Sequence, residues 1–454
     1  MEGVMFERIK NLLKGVWNRM FPVTTIETAL GCKVALSSAM VGKIDYWNAM
    51  LTGKAEWCDN FVTSLRVESG ICREFADVAL NEMEASVSDE SLDKIFKNSI
   101  KDLNEELQTG LALGSFVIKP IGPDKVEYIT ADRIIPIEFG ADKNPRDIAF
   151  IQVKKMADTR WYFRIERHTL TQAGLLIGNR AFASSDRGTL GREADLSDVE
   201  EWKDLPPSIL YPGMTQMDFG YFRTPLDNKV DYSACGVSIY ESAIELIKKA
   251  DRQSAGLEWE FESGERAIHV DESAIKHDRT KNGTLPQLNK RLYRGLNLDN
   301  GNNGELFKEY SPEFRDEPII RGLERYLRQI EFNVGLAYGD LSDVNHQEKT
   351  AAEVLTSKAR KYNRVSAIQK NLKDCLSDLV DALAFYNARY TTGYEFSCTF
   401  NDSILTDEEA ERAQDRQDVN IGAMTLLEYR MKWYDEEEAV AKTKIVAEDR
   451  PALE

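Results

Sequence analysis

The stretch from Thr350 to Tyr390 constrains this chain more than any other. Its apolar positions Ala351, Leu355, Tyr362, Val365, Ile368, Leu372, Cys375, Leu379, Leu383 and Tyr386 recur at helical spacing, and Thr350 with Glu353 forms a capping box at its start. At 1.5 Å per residue an unbroken helix there spans roughly 60 Å, several times an ordinary globular helix. A protein built on such a rod needs a sizeable body, and 454 residues, 42% of them hydrophobic and 30% charged, supply one in two or three regions.

The formal charge of -18 excludes a protein that grips nucleic acid over its whole surface. Cys32, Cys58, Cys72, Cys235, Cys375 and Cys398 are scattered without a CxxC pair, which suits free thiols in a reducing compartment. His168, His269, His277 and His346 have no partner at metal-site spacing, so neither a metal nor another cofactor is expected. No apolar run approaches the ~18 residues of a membrane span. Near the N-terminus Phe6, Ile9, Leu13, Trp17 and Met20 share a face opposite Arg8, Lys10, Lys14 and Arg19. Charges interrupt this stretch throughout, so it reads not as a secretion signal but as a helix packed on the body or on a neighbouring subunit, a membrane surface being the alternative.

Along the chain, Tyr46 to Leu111 has helical periodicity, and Phe116 to Arg167 breaks into β-like segments that read as one antiparallel meander. In the last segment Trp161, Phe163 and Ile165 alternate with Tyr162, Arg164 and Glu166, the pattern of a half-buried strand. The polar run from Ala181 to Pro207 reads as a surface excursion. A helix is expected from about Val237 to Ser263, then a small β-rich insert over Arg266 to Tyr310, then a second helix from Pro318. A polar connector, Tyr338 to Lys349, precedes the long helix. It lacks the glycine of a calcium-binding loop, and Ala351 stands where the loop-closing Glu would be. The acidic tail beyond Asp402 carries further capping boxes at Thr406/Glu409 and Thr425/Glu428.

The segments DNKVDYSACGVSIYESAIELIKKAD (Asp227 to Asp251), IEFNVGLAYGDLSD (Ile330 to Asp343), EKTAAEVLTSKARKYNRVSAIQKNL (Glu348 to Leu372) and FNDSILTDEEAE (Phe400 to Glu411) occur in that order. Together they resemble the portal proteins of tailed bacteriophages, in the siphophage type of Gram-positive hosts. The resemblance covers most of the chain, each motif alone being weak and their order carrying the match. It implies an α+β portal fold: a wing of helices plus antiparallel strands (1–236), a two-helix stem (237–263 and 317–337), and a small β-rich clip (264–316). A tunnel loop (338–349), a long wing helix (350–401) and a short helical crown or tail (402–454) follow.

The family forms rings, usually dodecameric, at one capsid vertex of the virion, assembled in the host cytoplasm. Such a ring is a conduit for DNA packaging and ejection, and acidic surplus suits a wall along which a polyanion must slide. The resemblance implies double-stranded DNA, terminase, head completion or adaptor proteins, and the major capsid and scaffolding proteins as partners, with no membrane. It places Asp340, Asp343, Asn345, His346, Gln347, Glu348 and Lys349 beside DNA, and His277, Lys281, Lys290, Arg291 and Arg294 against motor or adaptor. From the residues alone, the connector reads as a plain exposed loop. Lys358, Arg360, Lys361, Arg364, Lys370 and Lys373 on the long helix are expected to pair with acidic residues of a neighbouring subunit, phosphates being the alternative. No nucleotide-binding, nucleophile-elbow, zinc-protease or dinucleotide motif is present, so an enzyme is not expected. A non-ring helical scaffold and a metal-dependent nuclease built from scattered carboxylates are the competing readings.

Overall fold

A computed structural model describes residues 21–156, 160–264, 267–271, 293–296, 307–310, 313–343, 351–400, 408–434, 436 and 438–448. The chain is mixed α and β with mostly antiparallel sheets, consistent with the α+β class. Helices α1 (Val23–Leu30), α2 (Ser38–Leu51) and α3 (Val67–Leu80) open it, followed by strand β1 (Met83–Val87) and helices α4 (Glu90–Ser99) and α5 (Leu103–Leu113). Local caps set these starts: the Ser37 hydroxyl accepts the Met40 amide at 3.1 Å and Asp89 accepts that of Leu92 at 2.9 Å. The two or three helices expected from Tyr46 to Leu111 are separated by the irregular segment 52–66 and by β1. Phe61 and Leu65 stand exposed on that segment, so their apolar spacing marks no helix face.

The expected single meander is divided between two sheets. Strands β2 (Ser115–Pro120) and β3 (Val126–Thr130) form a hairpin, while β4 (Ile134–Phe139), β5 (Pro145–Lys155), β6 (Trp161–Thr171), β7 (Gly174–Ser184) and β8 (Arg192–Ala194) make a separate antiparallel sheet. Strand β9 (Ser208–Tyr211) also pairs with β7, and β10 (Gly220–Arg223) returns to β2. Period-two alternation sends Ile148 and Phe150 of β5 to one face with Phe219, and Ala149 and Ile151 to the other with Phe21 and Ile26. Both faces are therefore covered, and β6 is not half-buried: Arg164, Glu166 and His168 lie inside with the apolar residues.

The run Ala181 to Pro207 is likewise more than a surface excursion. It folds back so that Val199 and Trp202 are buried against Tyr162 and Ala181.

Residues 237–240 precede a 3-10 turn at Glu241–Ala243, and the next helix, α6 (Ile244–Ser263), begins seven residues after the expected Val237. Here the chain crosses α5 closely: the Ile239 amide donates to the Leu111 carbonyl at 2.9 Å, and a Cβ on Gly236 would sit 1.9 Å from the Gly114 carbonyl oxygen.

The insert after α6 contains β11 (Ala267–Asp271), β12 (Tyr293–Leu296) and β13 (Phe307–Tyr310), with β11 parallel to β12 and antiparallel to β13. No signal in the sequence marks β12. Helix α7 (Asp316–Val334) then runs back along α6, the Gln253 amide donating to the Ile319 carbonyl at 3.1 Å. At the far end of this hairpin Glu260 accepts both the Arg315 amide at 3.0 Å and its guanidinium at 2.8 Å. At the near end Ile244, Ile247, Ala250, Ile330 and Val334 enter the main core.

Helix α8 (Ala351–Tyr386) has 36 residues, about 54 Å, and ends four residues before the expected Tyr390. Its buried stripe, Val365, Ile368, Leu372, Leu376, Leu379 and Leu383, is the spine of that core. Strand β14 (Phe396–Phe400) closes on β1 with Ala85 opposite Cys398. Helices α9 (Glu408–Asn420), α10 (Leu426–Tyr434) and α11 (Glu438–Glu448) end the chain. The capping box at Thr425 forms, its hydroxyl accepting the Glu428 amide at 3.2 Å and the Glu428 carboxylate accepting the Thr425 amide at 2.8 Å. That at Thr406 and the N-terminal amphipathic stretch lie outside the described residues.

Candidate functional site at the root of the helix-connecting loop

The connector between α7 and α8 starts from a corner held by a buried carboxylate. Helix α7 stops at Gly335, whose φ of 93° closes the helix with its amide on the Glu331 carbonyl at 3.0 Å. The Glu331 side chain is 0% exposed. Its Oε1 accepts the amides of Gly339, Leu341 and Ser342 at 3.1, 2.7 and 2.8 Å, and Oε2 accepts the Ser342 hydroxyl at 3.0 Å. A carboxylate that receives three backbone N–H groups and a hydroxyl is compensated for its lost water, so the turn 336–342 is fixed and not merely hydrated.

Asp340 belongs to the same construction. Its Oδ2 accepts the Ala337 amide at 2.9 Å and lies 3.0 Å from Lys361 Nζ, which also reaches Glu74 Oε1 at 2.6 Å. Burial opposes the Lys361 charge, but Glu74 and Asp340 outweigh it and hold the ammonium above the ordinary lysine range. Asp340 thus faces its own chain, and Lys361 is paired with Glu74 and Asp340 of that chain. Asp343 is exposed, and its amide donates to Glu324 Oε2 at 2.8 Å. Asn345, His346, Gln347, Glu348 and Lys349 lie outside the described residues.

Next to this corner the cations are differently placed. The Arg360 guanidinium stacks 4.7 Å from the Phe332 ring centroid and 5.1 Å from that of Tyr338. Arg364 packs beside Gly335 and burial lowers its pKa. Lys358, Lys370 and Lys373 are exposed. At the opposite end of the α6/α7 hairpin, Arg294 stands on β12 in register with His269, and His277, Lys281, Lys290 and Arg291 lie outside the described residues.

A second constellation, not foreseen from the sequence, lies inside the two-sided sheet. Glu166 accepts Lys119 Nζ at 2.7 Å on Oε1, where His168 Nε2 also lies at 2.8 Å, and Arg164 Nη2 at 2.6 Å on Oε2. His168 Nδ1 meets Asp218 at 2.7 Å, and the Tyr386 hydroxyl of α8 donates to the same carboxylate at 2.7 Å. Burial disfavours the imidazolium, but Asp218 and Glu166 overcome it and push His168 up to about 9. Burial likewise opposes the carboxylates, yet Lys119 and His168 hold Glu166 well below its usual range and His168 does the same for Asp218. His168 is 1% exposed and uses both ring nitrogens in these bonds, which leaves neither free for a substrate. The network is a charged clamp between sheet and long helix. The alternation Arg164, Glu166, His168 is its only sequence signal, and that pattern equally fits a solvated face.

Among the described residues no group of three or more His, Cys, Asp or Glu side chains is arranged to hold a metal ion, and no helix is long and apolar enough to cross a membrane. No protein-family model and no curated protein matches the chain.

Proposed function

We propose that this chain is the subunit of a portal-type ring, the head–tail connector at a capsid vertex through which double-stranded DNA is packaged and ejected. The observation that carries the reading is the α6/α7 hairpin. It bears a small sheet at one tip and a fixed turn at the other, and it leads directly into a 36-residue helix. Away from its root the described part of the hairpin is open to solvent: Trp259 is 63% exposed, and Phe261, Phe314 and Ile320 are exposed with it. Apolar surface of that kind on a protruding element suits packing against further copies. The sheet at the tip is the clip, offered to terminase and then to adaptor or head completion proteins, and the α7–α8 connector is the tunnel loop. Capsid and scaffolding proteins meet the wing. No catalytic activity is assigned to the protein.

Negative-stain imaging and sedimentation of the purified full chain provide the test. Rings with a central hole, far heavier than the 51.6 kDa monomer, are expected. A protein that stays monomeric under head-assembly conditions rejects the ring and leaves the non-ring scaffold. Cleavage of DNA that depends on a divalent metal supports the nuclease instead.

A further inference from the structure

We propose that Glu68 and Asp251 form a proton-operated latch that ties the irregular segment 52–66 to the root of the α6/α7 hairpin. That segment joins α2 to α3 and meets α6 at Asp251, a residue 0% exposed. The two Asp251 oxygens take one donor each from it: Oδ2 accepts the Trp57 indole N–H at 2.8 Å, and Oδ1 accepts the Leu65 amide at 2.8 Å. Trp57 is buried there, its ring 6.2 Å from that of Tyr46 and its centroid 5.7 Å from Lys248 Nζ of α6.

Glu68, in the first turn of α3, is 1% exposed. Its Oε1 accepts the Ser64 hydroxyl at a long 3.3 Å, and its Oε2 is buried with no hydrogen-bond partner among the described residues. The surrounding cations are engaged elsewhere. Arg66 bears on Glu68 but donates to the Leu51 carbonyl at 3.0 Å, Lys248 faces the Trp57 ring, and Lys43 pairs with Glu241 at 2.6 Å. The other titratable groups around the pair, Cys58 and Asp59 of the segment, Cys72 of α3 and Tyr240, are acids and supply no positive charge. Two buried carboxyl groups without a countercharge do not both ionise. Asp251, with an indole N–H and an amide directed at it, is the charged member, and Glu68, with its unpartnered oxygen, carries the proton. Burial raises both pKa values; at Asp251 the Leu65 amide and the Trp57 indole oppose it, while at Glu68, against the pull of its own amide, the Asp251 charge adds to it.

Loss of that proton places a second negative charge in a site closed to water. Admitting solvent relieves it, and segment 52–66 is the cover free to move: it belongs to no helix or strand, and its Ser64 and Leu65 touch the two carboxyl groups. Helices α3 and α6 are held in the main core through Ile71, Phe75, Ile247 and Ala250. The latch is therefore closed while Glu68 is protonated. Because the folded-state pKa is raised, the closing contribution is complete below the ordinary 4.5 and is lost as pH climbs through the folded value. Opening uncovers Trp57 and frees the base of α6 from the segment. The latch stands apart from the ring reading, since every group in it belongs to one chain.

The test is amide hydrogen exchange of the purified full chain from about pH 4.5 to 6.5, below the range in which His168 titrates, corrected for the intrinsic pH dependence of exchange. Peptides spanning 57–66 are compared with peptides from the buried part of α8. As pH rises toward the folded pKa of Glu68, protection of 57–66 is expected to fall about tenfold per pH unit, one proton being released per opening, while α8 keeps its protection. Glu68→Gln, which has the shape of the neutral acid and cannot ionise, is expected to keep the segment protected throughout. Asp251→Asn, which puts a donor where one of the two acceptors stood, is expected to leave it weakly protected at every pH. A parent whose 57–66 protection does not change with pH overturns the proposal, as does a Glu68→Gln protein that follows the parent. A fall shared equally by α8 is loss of the whole fold and also overturns it.

Discussion

The two-sided sheet and the α6/α7 hairpin answer the same problem, what to do with charge and apolar area, in opposite ways. Inside the sheet, Lys119, Arg164, Glu166, His168 and Asp218 are mutually paired, and the apolar residues of both faces are covered by the chain itself. Along the hairpin, Trp259, Phe261 and Phe314 are exposed. The sheet satisfies its charge and apolar area within one chain, whereas the outer hairpin leaves aromatic side chains in solvent. Stability of the chain therefore resides in the body, and on the proposed ring reading changes to the outer hairpin are read in assembly.

The contrast is broken most severely at Gly236. Gly236→Ala forces a Cβ into the Gly114 carbonyl and pushes apart the crossing beneath the root of α6, with an expected loss of about 4 kcal/mol in urea unfolding. Glu331→Ala removes the acceptor of three amides and a hydroxyl, and about 3 kcal/mol of stability is expected to go with it. Deletion of 344–349, which leaves that corner intact, should cost far less in the same unfolding measurement. A deletion starting at Asp340 would confound the two effects.

The clamp in the sheet gives a pH signature. The folded pKa of His168, about 9, lies above the ordinary histidine value of 6.5. The stabilising contribution is therefore complete below pH 6.5 and is lost as pH rises through 9, an effect of up to about 3 kcal/mol. Urea midpoints from about pH 6 to 10 should fall for the parent, and this part of the decline should vanish in His168→Gln. A parent whose midpoint is flat over that range would mean that His168 is neutral in the fold. The smallest effect is expected on the hairpin: Trp259→Ser should change monomer stability by less than about 0.5 kcal/mol while weakening association in sedimentation.

Several elements are legible from residue spacing alone. The recurrence of Val365, Ile368, Leu372, Leu379 and Leu383 specifies the long helix, because a 3.6-residue period survives whatever the helix packs on. The insert between two helices is legible from its glycine-rich punctuation and short strands, and the Thr425 cap from four residues. The root of the connector is legible only as a polar run. That Glu331 turns inward to bind the turn, and that Asp340 meets Lys361 and Glu74, depends on residues separated by up to 287 positions coming together.

By itself, then, the sequence determined the periodic elements, their order and the sign of the overall charge, since these depend on neighbours along the chain. The tertiary structure alone decided which polar residues are inside. Arg164, Glu166 and His168 look like a wet strand face until Phe219, Asp218 and Tyr386 close over them. Burial is a property of what arrives from elsewhere in the chain, and a charge tolerates it only when an opposite charge arrives too.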